Sequence, residues 1–191
     1  MRQLLLQEFV SLDGMAAGPK DSVDFIPGSM QGDASFGREQ LALMDRVDTL
    51  VLGRVTHEMF AQYWPTAGDA PGAEKEFAER FNSLARVVFS KRLERAPWGK
   101  WKEGRVVKRG PVEEIASLKQ QPGKDLLLSG SLAVAQALMA ADAIDEYRLV
   151  LCPIVLGGGR PLFRGDASRA LQLVKSTAME RGAMSLVYAR R

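Results

Sequence analysis

The stretch Thr49-Leu50-Val51-Leu52-Gly53-Arg54-Val55-Thr56-His57-Glu58-Met59-Phe60 decides the fold class. A short apolar strand delivers a glycine, an arginine and a threonine to the start of a helix. The first N–H groups of a helix have no partner within it and attract anions, and Arg54 adds a full charge. Gly53 lets a ligand approach the backbone closely. Alone the signal is moderate, because Gly-Arg is a common pair at a strand end. Its weight comes from two similar strand ends further along.

Working outward, Arg2 to Val10 reads as a strand closed by Ser11-Leu12-Asp13-Gly14. Residues 14–33 hold Gly18, Pro19, Pro27, Gly28 and Gly32, which argues for a long loop without regular structure, functional or mobile. Phe36 to Val47 has helical spacing. Leu50 to Leu52 is a buried strand and Thr56 to Tyr63 a helix that Trp64-Pro65 stops, with a loop at Gly68–Gly72. Glu74 to Leu84 is helical, Arg86 to Ser90 a strand, Arg105 to Val107 a short strand and Val112 to Gln120 a helix. Leu126 to Leu128 is a strand, Leu132 to Ala141 a helix and Ile144 to Leu151 a strand. Leu171 to Ala178 and Ala183 to Ala189 close the chain as a pair around Arg181-Gly182. Strand-helix units followed by strands alone predict an α/β fold. Its sheet is mainly parallel and covered on both faces, with an antiparallel C-terminal edge.

The 191 residues, 46% apolar and 26% charged, suit one soluble globular domain spanning 1–191. The net charge of +3 is mild and the basic residues are scattered, which speaks against a nucleic-acid surface. Cys152 is the only cysteine, so no internal disulfide forms, and its apolar surroundings predict a buried, inert thiol. With His57 the only histidine, no His/Cys metal cluster is available. No leader pattern and no membrane-spanning run is apparent, so a cytoplasmic protein is expected.

In open α/β sheets ligands sit beyond the carboxyl ends of the strands. Three such ends carry suitable residues: Gly53-Arg54-Val55-Thr56, Ser90-Lys91-Arg92 and Ser129-Gly130-Ser131. The second is a hydroxyl and two cations, or else a solvated turn. The third offers backbone N–H groups to a diphosphate, or is only a turn and helix cap. It has neither the Gly-x-Gly-x-x-Gly spacing nor a Walker lysine. Together the three argue for a dinucleotide with an extra phosphate, read by Arg54, Lys91 and Arg92. The run Pro153 to Phe163, with Gly157-Gly158-Gly159, either touches ligand or makes a tight connection, and the structural role is favoured.

At these residues the chain resembles the dihydrofolate reductase-like superfamily. More narrowly, it is similar to the C-terminal reductase domain of the riboflavin-biosynthesis deaminase-reductase and its stand-alone bacterial relatives. Ser11-Leu12-Asp13-Gly14, Gly53-Arg54-Val55-Thr56, Leu128-Ser129-Gly130-Ser131 and Pro153 to Phe163 carry the resemblance over nearly the whole chain. It implies a three-layer α/β/α fold and an NADPH-dependent reductase that passes a hydride to a pyrimidine- or pterin-like heterocycle. The default by resemblance is 5-amino-6-(5-phosphoribosylamino)uracil. It also implies a homodimer through the C-terminal strands.

Under this resemblance Gly53, Arg54, Thr56, Ser90, Lys91, Arg92, Ser129, Gly130 and Ser131 hold NADPH. The 14–33 loop covers the nicotinamide, with Asp13 as the catalytic candidate beneath it. Phe36, Glu39 and Trp64 line the substrate side. Asp13 also reads as a turn residue that satisfies backbone N–H groups.

The chain departs from dihydrofolate reductases at four places. Gly37, beside Arg38 and Glu39, stands where they carry a pterin-holding carboxylate, which argues against folate reduction. Ser129 replaces one glycine of a cis pair, Leu132 replaces a frequent cation, and His57 replaces an aromatic and reads as a packing residue. The missing carboxylate keeps a non-catalytic nucleotide binder as the alternative. A flavin or nucleotide-phosphate enzyme on an ordinary doubly wound fold is the third reading.

Overall fold

The computed structural model describes residues 1–30, 32–69, 74–165 and 168–191. Its centre is a nine-stranded sheet. The strands are β1 (Leu4–Ser11), β3 (Val47–Gly53), β4 (Ala85–Phe89), β5 (Ala96–Trp98), β6 (Trp101–Val107), β7 (Asp125–Ser129), β8 (Glu146–Cys152), β10 (Leu171–Ala178) and β11 (Met184–Arg190). They lie in the order β10-β11-β8-β1-β7-β3-β4-β6-β5. The run from β8 to β6 is parallel throughout. The antiparallel C-terminal edge is present as β11 and β10.

The apolar runs are continuous because the central strands are buried on both faces. Leu4 and Leu6 of β1, Val51 of β3 and Leu126 and Leu128 of β7 face one cluster with Ile115, Leu118, Leu138 and Met139. These last four belong to α5 (Pro111–Lys119) and α6 (Leu132–Ala140). The alternate residues Leu5, Leu50, Leu52 and Leu127 face the other cluster. There they meet Leu43 and Met44 of α2 (Ala34–Arg46), Phe60 of α3 (Arg54–Ala67) and Phe81 of α4 (Glu74–Ser83). The result is the three-layer α/β/α arrangement, with the two-residue period of each strand dividing its side chains between the layers.

Three expectations need correction. The segment 14–33 is not irregular: it holds β2 (Met15–Ala17), a 3-10 turn (Pro19–Asp21) and α1 (Phe25–Met30). Pro19 and Pro27 lie in first turns, where a helix does not use the missing N–H. β2 pairs with β9 (Arg160–Pro161) in a second, two-stranded sheet. Trp64-Pro65 does not stop α3, because Pro65 falls near its end and removes only one hydrogen bond. The short strand expected at Arg105–Val107 begins at Trp101 and forms a hairpin with β5, adding an antiparallel strand at the other edge. Pro97 disguises β5, yet an edge strand tolerates a proline. Of the loop expected at Gly68–Gly72, residues 70–72 lie outside the described residues, as does Gln31 of the 14–33 segment.

Candidate functional site

The site begins where β1 outruns its neighbour. The β1–β7 ladder ends at Gln7 opposite Ser129, whereas the β1–β8 ladder continues to Ser11 opposite Cys152. Residues 8–11 of β1 therefore border a notch on the β7 side, at the reversal point of strand order where open α/β sheets take ligands. The Gly130 N–H donates to the Gln7 carbonyl at 3.3 Å, so that carbonyl points toward β7. By the two-residue repeat of a strand, the Phe9 backbone groups point the same way, past the end of β7.

The floor of the notch joins two of the three strand ends. The Ser129–Gly130 peptide is trans, and the turn is made instead by positive φ, +61° at Gly130 and +64° at Ser131. A Cβ on Gly130 would lie 3.1 Å from the Thr56 methyl, so a side chain there meets both strain and a neighbour. Ser131 Oγ accepts from the Gly53 N–H at 2.6 Å. That hydroxyl thus ties β3 to the turn and does not cap its own helix. Gly53 supplies no side-chain cap to α3 either, and neither helix has an acidic residue in its first turn. By contrast, α2 is capped by Asp33, whose Oδ1 accepts from the Phe36 N–H at 2.9 Å, and α5 carries Glu113 and Glu114. Two bare N-termini converging on one point give the geometry that attracts an anion.

Cations extend the site along the strand ends. Arg54, the first residue of α3, is bound to Glu58 one turn on at 2.7 Å, with side chains 37% and 43% exposed. Gly53 pairs with Phe89, which puts Ser90-Lys91-Arg92 on the next strand end. Ser90 Oγ accepts from the N–H groups of Arg92 (3.1 Å) and Leu93 (2.9 Å), so the hydroxyl shapes the turn. Lys91 and Arg92 are exposed, and neither joins an ion pair among the described residues.

The residues expected on the substrate side separate. Phe36 meets Phe9 edge-on at 5.7 Å beside Met30, Val150 and Met179, an apolar wall along the α2 side of the notch. Trp64 is not at the notch. It packs among Tyr63, Phe77 and Phe81, 4.9–5.2 Å between ring centres, because its position faces α4 and the core. Glu39 accepts from Lys175 Nζ at 2.8 Å and Thr177 Oγ1 at 2.9 Å, which directs it to β10. Burial would raise its carboxyl, but the hydrogen bonds from Lys175, Ser185 and Thr177 outweigh that and hold it low.

Asp13 has the turn geometry. Its oxygens accept from Ser11 Oγ (2.6 Å) and from the N–H groups of Leu156 (3.1 Å) and Gly157 (2.8 Å). The Ser11 bond, with the backbone bonds, lowers its carboxyl to about 2. It anchors the glycine run to the end of β1. Gly159 carries the close approach: a Cβ there would sit 2.1 Å from the Ala17 carbonyl oxygen, in the β2–β9 contact. His57 is buried beside Trp98 at 5.7 Å, and burial lowers its imidazole, as a neutral packing residue requires.

Besides Phe9, sequence reasoning missed two residues of the notch strand and one that packs against it. Gln7 and Gln40 of α2 are buried and exchange amide hydrogen bonds at 2.9 and 3.3 Å. Glu8 is 6% exposed, and its Oε1 is buried without a partner. The available signal was Gln7-Glu8 interrupting an apolar strand covered on both faces. Two open clefts of about 300 and 340 Å3, one against Asp48 and Lys124 and one against Asn82 and Trp101, lie at the opposite ends of the strands.

Comparison with known proteins agrees with this geometry. Residues 2–185 match the family model described as RibD C-terminal domain. The uncharacterized protein YyaP of Bacillus subtilis is 30% identical over 188 residues, which cover 98% of this chain and 94% of that one. A crystal structure from Shewanella sp. PV-4, of a protein assigned to riboflavin biosynthesis, is 28% identical with a TM-score of 0.75 and 99% coverage of both chains. Dihydrofolate reductase from Enterococcus faecalis, complexed with NADP(H), superimposes with a TM-score of 0.62 at 17% identity, covering 99% of this chain and 96% of that one. At that identity the likeness establishes the fold alone. Because the family model spans 2–185 and includes all three strand ends and the β1 overhang, this chain belongs to the RibD C-terminal domain family.

Proposed function

We propose that this protein is an NADPH-dependent reductase that passes a hydride to a small nitrogen heterocycle. The observation that carries the reading is the line of positive potential along the strand ends: the bare N-termini of α3 and α6, then Arg54 with its half-exposed partner Glu58, then Lys91 and Arg92. The residues fit the cofactor. A side chain at Gly130 would obstruct the floor of the notch, and a Cβ on Gly53 would lie 3.3 Å from Val134. The first-turn N–H groups of α3 and α6 would hold the diphosphate, with Gly53 and Gly130 letting it approach the backbone, and Arg54, Lys91 and Arg92 would hold the adenosine phosphate. That would leave the nicotinamide end at the Phe9 overhang. When bound, the cofactor supplies the hydride from its nicotinamide C4.

The protein's own work is positioning and exclusion of water. Phe9, Phe36 and Met30 form the apolar side of the notch, and the buried Gln7–Gln40 pair gives it a neutral polar base. Gly37 offers no carboxylate for a pterin, so folate reduction is outside this reading. Titration with NADPH, followed by nicotinamide fluorescence, tests it. Saturable binding in the micromolar range is expected, and no binding near millimolar cofactor sinks it.

One observation supports a second reading, a nucleotide binder without turnover: Asp13 and Glu39 are both committed to internal hydrogen bonds. NADPH oxidation that depends on an added pyrimidine or pterin would exclude that reading. We further propose a homodimer through β10, an outermost strand with Leu173 51% and Val174 61% exposed. Sedimentation as a monomer would remove that proposal.

A further inference from the structure

Glu8 is the residue the reading above leaves without a task. It projects from β1 at the notch, one residue past the last β7 pairing and opposite Leu149 of β8. Its strand neighbours Leu6 and Val10 face an apolar cluster with Ala135, Leu149 and Leu162. Glu8 Oε1 is buried with no partner among the described residues. A second acceptor, Gln136 Oε1 on α6, is likewise buried and unpartnered, while the Gln136 amide donates to the Pro161 and Leu162 carbonyls.

The charged groups of the surrounding elements are engaged elsewhere. On β8, Tyr147 carries Arg169 on its hydroxyl at 3.1 Å. On β9, Arg160 pairs with Asp21, and Asp13 holds the 156–157 backbone. Burial alone pushes Glu8 up to about 8, with no neighbouring charge opposing it. A native chain rarely keeps an unpaired carboxyl inside its central strand, and such groups concentrate at functional sites.

Resting on the cofactor reading, the strand order supplies the missing neighbour. Phosphate groups held at the β7, β3 and β4 ends would leave the nicotinamide end at the β1 overhang, where Glu8 is the buried carboxyl without a partner among the described residues. The ring is neutral when reduced and cationic when oxidised. We propose that Glu8 keeps its proton against the reduced cofactor and releases it to solvent when the oxidised ring is bound, coupling protonation of Glu8 to the redox state of the bound nucleotide. No covalent bond changes except the carboxyl O–H, and the carboxylate left behind faces the ring's positive charge. Linkage then makes the effect reciprocal, so raising the pH favours NADP+ over NADPH.

The test is calorimetric. Binding of NADP+ and of NADPH is measured from pH 6 to 9 in two buffers of different ionisation enthalpy, which gives the protons exchanged. Near pH 7, NADP+ is expected to release close to one more proton than NADPH. The NADP+/NADPH affinity ratio is expected to rise about tenfold between pH 6.5 and 8. Glu8→Gln should flatten that ratio. The ratio cancels titration of the phosphates that the two nucleotides share. The wild-type proton count stands even if the variant fails to fold. Binding of both nucleotides with a pH-flat ratio overturns the role of Glu8 and leaves the cofactor reading intact. Binding of neither overturns both.

Discussion

The two ends of the sheet differ in how they treat their charges. At the amino ends of the parallel strands the chain satisfies itself. Buried Arg2 binds Asp48, the Thr49 hydroxyl and the Lys124 carbonyl. Asp145 accepts from the Leu4 N–H and pairs with Lys119, and Arg46 bridges Asp125 and Glu146. At the carboxyl ends of β3 and β7 the helices α3 and α6 start bare, Lys91 and Arg92 point outward, and Glu8 is buried without a partner among the described residues. The first end stabilises the fold; the second leaves groups unpartnered at the place where the proposed cofactor would meet them. Substitutions at the first end should therefore cost stability without affinity, and those at the second affinity with little stability. Glu8 is the informative exception, since its burial costs stability.

That exception gives the largest expected effect. A folded-state value near 8, against 4.5 for a free glutamate, means that the folded protein holds the proton longer than the unfolded chain. Stability is therefore unaffected below about pH 4.5, falls as pH rises between 4.5 and 8, and stays reduced above 8. The two values bound the loss at about 5 kcal/mol. Urea unfolding from pH 5 to 9 should show the decline in the wild type and a much flatter profile in Glu8→Gln. Equal slopes would place the pH dependence elsewhere.

Next comes Arg2→Ala at the satisfied end. It removes the buried donor to the Thr49 hydroxyl and the Lys124 carbonyl and should cost about 1–3 kcal/mol in urea unfolding, with nucleotide affinity unchanged. A matching loss of affinity would mean that the two ends are not independent. Gly130→Ala belongs to the other end. Positive φ and the 3.1 Å approach to Thr56 predict a stability cost of about 1–2 kcal/mol. They also predict an affinity loss of at least about tenfold. Unchanged affinity would remove the turn from the site.

The contrast also explains what the sequence made legible. The buried strands were plain because Leu4–Leu6, Leu50–Leu52 and Leu126–Leu128 are unbroken apolar runs, which only a sheet covered on both faces accommodates. The three strand ends were plain because helix starts and cations follow those runs directly. The notch strand was opaque. Glu8 and Gln7–Gln40 become informative only once β1 is known to outrun β7, a matter of register between residues far apart in sequence. Trp64 misled because an aromatic at helical spacing serves core and cleft equally, and only the packing of α4 decides between them. Asp13 was legible as a turn residue that accepts backbone N–H groups, but not which ones, because they lie near residue 156.

The smallest effect is the most selective. An arginine at the first position of a helix faces the positive end of the dipole, and here Glu58 compensates from one turn away. An exposed pair at this spacing is worth about 0.3–0.5 kcal/mol, so a phosphate can displace Glu58 at little cost. Arg54→Ala should thus weaken NADPH by about tenfold while barely changing NADH, which lacks the extra phosphate. Glu58→Gln should do the reverse on a smaller scale, tightening NADPH about twofold by removing the competitor. Fluorescence titrations of both cofactors against both variants decide the point. If Arg54→Ala weakens NADPH and NADH equally, the guanidinium serves the shared diphosphate, and discrimination passes to Lys91 and Arg92 on the neighbouring strand end.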